Sequence, residues 1–144
     1  MSTTTTAEEN KRIARQFPED VATGGDIDRI EELCTPDVVD RSPLGEVHGQ
    51  EELKHHLKSI RAAFSGHSAT VEDAVAEGDT VAMRVTLRGT HDGEFMGIEP
   101  TGNDFAVTNM VFTRIEDGRI AERWVNPDMY GLMQQLDAVD APGE

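Results

Sequence analysis

Apolar positions along the chain follow two periods. Over the first half they recur every three to four residues, at Ile13, Phe17 and Val21, then at Ile27, Ile30 and Leu33, then at Leu53, Leu57, Ile60 and Phe64. That spacing predicts three helices, from about Ala7, from about Ile27 and over 50–64. Pro18 removes a backbone donor and crowds the preceding turn, so the first helix should kink or split there. Gly24-Gly25 ends it, and Asp26 is placed to cap the second helix. Glu51-Glu52 sit at the positive end of the third helix dipole. Between the second and third helices, Pro36 to Pro43 reads as a short extended segment, because Ser42 precedes a proline. The second half changes to period two. Four strands are predicted over 70–76, 81–90, 104–115 and 119–126, separated by Glu77-Gly78-Asp79, a long glycine-rich loop and Glu116-Asp117-Gly118. Asp117-Gly118 is a tight hairpin signal. Helices followed by an antiparallel meander make an α+β fold. One domain over 7–138 is expected between a threonine-rich tail at 1–6, with nothing to pack, and a second tail at 139–144.

The stretch from Gly118 to Leu136 concentrates the candidate chemistry. Unbroken alternation puts Ile120, Glu122, Trp124 and Asn126 on one face. An apolar wall mixed with acid suggests a lined cavity with Asp128 at its mouth. Asp128 is the first catalytic candidate, since a carboxylate beside an aromatic in a partly dry hollow can take a proton from carbon. The competing role is capping of the helix that follows Pro127. Asp40 is a second candidate, against a structural ion pair with Arg41 or Arg84. His91, opening the glycine-rich loop, can exchange protons near neutral pH or simply fix the loop. Glu122, Trp124, Arg84 and Asn109 are candidate lining residues. Phe95 and Met96 either form a lid or pack across the open end of the barrel. Leu132, Met133 and Leu136 read as core stripe.

Composition narrows the classes. The formal charge of -15 over 144 residues argues against nucleic acid and anionic membranes, which carry the same sign. With 28 acidic residues and only Lys11, Lys54 and Lys58 as lysines, the balance also suits a protein dispersed in concentrated salt, so a halophilic source is expected. Cys34 is alone and is read as a small buried hydrophobe. None of His48, His55, His56 and His67 shows metal-ligand spacing, and no metal is expected. The first ten residues lack a basic and apolar leader, and no apolar run spans a membrane, so a cytoplasmic protein is expected.

The helices-then-sheet order, the segment GTHDGEFMGIEPTG at 89–102 and the segment EDGRIAERWVNPDMYGLMQQL at 116–136 resemble the SnoaL-like polyketide cyclase and ester cyclase group of the nuclear transport factor 2-like superfamily. The resemblance runs from about Ala7 to Leu136. It implies a cone-shaped, cystatin-like fold, with a curved antiparallel sheet wrapped around the N-terminal helices over a deep pocket, and a homodimer through sheet faces. It further implies intramolecular aldol cyclisation of a small molecule without metal or cofactor, with Asp128 at the position of the group's general acid/base. Many relatives carry histidine where this chain has Arg41. In ketosteroid isomerases, which share the superfamily, the proton-shuttling carboxylate has a place similar to that of Asp40. Their tyrosine donor has no counterpart, since the lone tyrosine is Tyr130. Two other readings stay open: a non-catalytic binding or dimerisation module, and an epoxide hydrolase-like enzyme in which Asp40, Arg84 and Asp128 hold a water.

Overall fold

The computed structural model describes residues 5–138. The helices α1 (Ala7–Gln16), α2 (Ile30–Leu33), α3 (Gln50–Ala63) and α4 (Met129–Gln135) accompany six strands: β1 (Cys34–Ser42), β2 (Gly45–His48), β3 (Phe64–Glu77), β4 (Thr80–His91), β5 (Asp104–Glu116) and β6 (Arg119–Pro127). They form one sheet in the order β2-β1-β6-β5-β4-β3. All neighbours are antiparallel except β1 and β6. The α+β expectation holds. The sequence reading missed β2, a four-residue edge strand with mostly exposed positions and therefore no burial pattern to read.

Thr6 is the N-cap of α1 and accepts from the Glu9 amide at 3.1 Å, while Glu9 in turn takes the Thr6 hydroxyl proton at 3.0 Å. Thr6, expected to belong to the idle tail, is therefore part of the fold. Its residues 1–4, and the C-terminal tail at 139–144, lie outside the described residues. At Pro18, where a kink or split was expected, α1 has already ended at Gln16. The chain widens into a π-helical segment, Phe17–Thr23, which accommodates the missing donor and buries Phe17, Pro18, Val21 and Ala22. Asp26 stands at the following N-cap without a side-chain cap bond.

β5 alternates from end to end, with Phe105, Val107, Asn109, Val111, Thr113 and Ile115 inward. β4 matches it with Val81, Met83 and Val85. The hairpin between β5 and β6 turns at Asp117 (φ 51°) and Gly118 (φ 79°), the pair of left-handed conformations that matches strand twist. The larger apolar cluster lies between this inner face and the helices, around Phe17, Ile30, Leu53, Met83 and Ile120. Each fully buried large side chain there contributes about 1.5–3 kcal/mol. The smaller cluster packs α4 on the sheet end through Phe64, Phe105, Leu132 and Leu136. Among the described residues no helix is long and apolar enough to cross a membrane.

One irregularity in β6 sets the site. Ile115 pairs with Ile120 but Arg114 pairs with Glu122, so Ala121 has no residue opposite it. Such a bulge moves everything beyond it to the other face. Ile120 and Ala121 are both buried, after which Arg123 and Val125 point inward while Glu122, Trp124 and Asn126 point outward.

Candidate functional site

Between the helices and the inner face of the sheet lies a cavity of about 120 Å³. Most of its wall is apolar, built by Phe17, Leu57, Met83, Val85, Val111 and Val125. Six polar side chains interrupt it: Asp40, Ser42, His56, His67, Asn109 and Arg123.

Asp40 and Arg123 form the centre of the polar wall. Alternation along β1 turns Val38 and Asp40 inward and Arg41 outward, and the bulge turns Arg123 toward Asp40. Arg123 Nη1 donates to Asp40 Oδ2 at 2.5 Å, with both residues almost fully buried. The guanidinium carbon lies 3.7 Å from the centroid of the Phe17 ring, and the buried Nε has no hydrogen-bond partner. A charge this deep is tolerable only because its partner is present.

His56 sits on α3 three residues after Leu53 and four before Ile60, on the helix face that meets the cavity. Burial pushes its imidazole below the ordinary value, the Asp40 charge opposes that, and Arg123 and His55 reinforce it. His67, near the start of β3, is likewise pushed down by burial; its contact with the Ala22 carbonyl at 3.5 Å opposes this and the Arg61 charge reinforces it. Both rings are thus held toward the neutral form. Asn109 is buried in the wall with its carbonyl oxygen unpartnered.

The structure places the sequence candidates as follows. Asp40 and Asn109 reach the cavity. Asp40 is paired, but with Arg123 and not with Arg41 or Arg84, because Arg41 lies on the opposite face of β1 and Arg84 is exposed on β4. The expectation that Glu122, Trp124 and Arg84 line the pocket is corrected: the bulge at Ala121 puts the first two on the outer face, and strand alternation puts Arg84 there. On that outer face Glu122 accepts from Arg114 Nε at 2.7 Å and from Arg41, which hold its carboxyl below the usual range. Arg41 also lies 5.5 Å from the Trp124 ring.

Asp128 is exposed, one residue beyond the lining Pro127, and its carboxylate accepts from the Gly131 amide at 2.9 Å as the N-cap of α4. A side chain at 131 would have its Cβ only 2.3 Å from Asp128 Oδ2, so glycine there lets the carboxylate close on the helix. His91 is fully buried outside the cavity wall. Its Nδ1 accepts from the Thr101 amide at 3.3 Å and pins the glycine-rich loop. Phe95 packs on Phe64 in the smaller cluster, 4.9 Å between ring centroids, and Met96 is exposed, so neither lines the cavity. Because Arg84 and Asp128 are both on the outside, the Asp40, Arg84 and Asp128 trio needed for epoxide hydrolysis does not assemble.

Sequence reasoning missed Arg123, His56 and His67. The consecutive apolar pair Ile120-Ala121 was the available sign of the bulge, and the spacing of His56 from Leu53 and Ile60 was the available sign of its inward face. Among the described residues no group of three or more His, Cys, Asp or Glu converges as a metal site would.

A profile of the family described as SnoaL-like polyketide cyclase matches residues 12–136. The chain is 30% identical over 115 residues to nogalonic acid methyl ester cyclase from Streptomyces nogalater, covering 78% of this chain and 86% of that one. It is 29% identical over 129 residues to aklanonic acid methyl ester cyclase DnrD from Streptomyces peucetius, covering 86% and 88%. The solved structure of TsrD from Streptomyces laurentii superposes with a TM-score of 0.84 at 26% identity, covering 94% of this chain and 99% of that one.

Proposed function

Starting from the premise that the chain belongs to the SnoaL-like polyketide cyclase family, we propose that it is a cofactor-independent cyclase for an uncharged, largely apolar polyketide ester. The observation that carries this reading is the cavity itself. It is apolar except for one internally neutralised ion pair and four other polar groups, Ser42, His56, His67 and Asn109. A free carboxylate entering it would find its one cation, Arg123, already committed to Asp40. A methyl ester carries no charge to compensate, and the methyl esters named for the Streptomyces relatives are of that class. Closing a ring by intramolecular aldol addition needs proton transfer and a polar wall for the developing oxyanion, both of which such a lining supplies. In this reading Asp40 and Arg123 polarise the wall, Asp128 works at the rim beside Pro127, and His91 holds the loop. The domain over 7–138 acts in the cytoplasm as a homodimer, its partner covering Met110, Phe112 and Trp124 on the outer face.

The test is incubation of the purified protein with nogalonic acid methyl ester, followed by chromatography and mass spectrometry. A new isomer of unchanged mass is expected. Saturable binding without conversion would instead establish the second reading, a ligand-binding module, which the capping role of the Asp128 carboxylate favours. Neither binding nor conversion of any polyketide ester overturns both.

A further inference from the structure

Four titratable groups meet the cavity, and three are poorly suited to carry a proton to and from a ligand. Asp40 is committed to Arg123 at 2.5 Å, and protonating it would leave a buried guanidinium uncompensated. Arg123 is the other half of that pair, and its guanidinium carries donors only, with no atom to accept a proton. His67 has one ring nitrogen turned to the Ala22 carbonyl and lies by Arg61 rather than by the ion pair. His56 differs on each count. It lines the cavity from α3, and the Asp40 and Arg123 charges are close enough to act on it. Among the described residues neither of its nitrogens is held by a hydrogen bond.

Resting on the cyclase reading, we propose that His56 is the catalytic residue that moves the proton in this cavity. The neutral imidazole takes the proton from the ligand carbon next to a carbonyl; the C–H bond breaks and its electron pair becomes an enolate. The enolate carbon attacks the second carbonyl of the same ligand, forming the C–C bond and placing negative charge on that oxygen. The imidazolium returns the proton to this oxygen, giving a hydroxyl. Atoms and charge balance without a co-reactant, and His56 ends as it began. The surroundings suit both halves: burial keeps the free ring neutral and ready to accept, and Asp40 stabilises the imidazolium once formed.

The experiment follows conversion of nogalonic acid methyl ester by wild type, His56→Gln and Lys58→Gln, the last altering an exposed residue on the same helix. His56→Gln should lower kcat about 10²–10⁴-fold, the usual contribution of a general acid/base, with KM little changed. Lys58→Gln should match wild type. A His56→Gln kcat within about threefold of wild type would overturn the assignment while leaving the cyclase reading intact, a loss far below that of a general base. An inert wild type would remove both together. Should His56→Gln lose its circular dichroism spectrum, the wild-type pH profile decides. An acid limb of kcat below the ordinary imidazole value of 6.5 supports His56, whereas a limb near 4, the carboxylate range, overturns it.

Discussion

Asp40 and Arg123 owe their burial to each other, and that dependence can be measured apart from any reaction. Removing one member of a buried, hydrogen-bonded ion pair leaves an uncompensated charge, at a cost of about 3–5 kcal/mol, whereas replacing both with apolar groups of similar volume is often close to neutral. The pair is almost fully buried, and the guanidinium is packed on Phe17, so solvent offers little relief. Asp40→Asn should therefore destabilise the fold by about that amount in urea unfolding, and adding Arg123→Met to Asp40→Leu should recover most of the loss. A single-variant cost below about 1 kcal/mol would mean that water reaches the pair and that the cavity wall is wetter than its lining suggests.

The same residue reaches its position only through an element-level feature, the bulge at Ala121. Paired without a bulge, Ala121 would take the outward place opposite Arg114, sending Glu122 and Trp124 into the core and Arg123 out to solvent. Inserting one alanine between Glu122 and Arg123 should thus cost at least as much as breaking the ion pair, about 3–5 kcal/mol, because it turns Arg123 outward and leaves Asp40 buried without its partner. Ala121→Gly, which preserves the residue count, should cost only about 1 kcal/mol. Urea midpoints followed by circular dichroism separate the two, and an insertion variant with the wild-type midpoint would show that the ion pair does not depend on the phase of β6. This feature also explains what could be read from the sequence. Elements whose period runs unbroken, such as β5 with its strict alternation and α3 with its Leu53, Leu57 and Ile60 stripe, were legible. The site was not, because one unpaired residue inverted β6, and because a π-helical widening at Pro18 hid in a pattern that reads as a break. Asp128 was found for its place in the chain, yet its carboxylate caps α4 and Trp124 turns to the outer face, so the two do not line the cavity.

Across the whole molecule, two electrostatic effects act in opposite directions as pH falls. The formal charge of -15 strains the compact state, so protonating surface carboxylates relieves repulsion. Against this, His56 and His67 have folded values pushed below the 6.5 of the unfolded chain, so between the two the unfolded state binds more protons. Their contribution is fully present above 6.5 and is lost as pH falls through the folded values. Glu122, held down by Arg41 and Arg114, acts with the same sign below its ordinary 4.5. Salt separates these contributions, because at about 1 M the screening length is about 3 Å and the long-range repulsion disappears, while partly buried groups are screened much less. The thermal midpoint near pH 7 should therefore rise by several degrees between about 0.01 and 1 M NaCl, and the decline from about pH 7 to 5 should be steeper in the higher salt. Differential scanning calorimetry over that grid checks both. A midpoint indifferent to salt would dismiss surface repulsion as a determinant of stability, and a midpoint rising toward pH 5 in high salt would show that the two imidazoles are not held neutral by the fold.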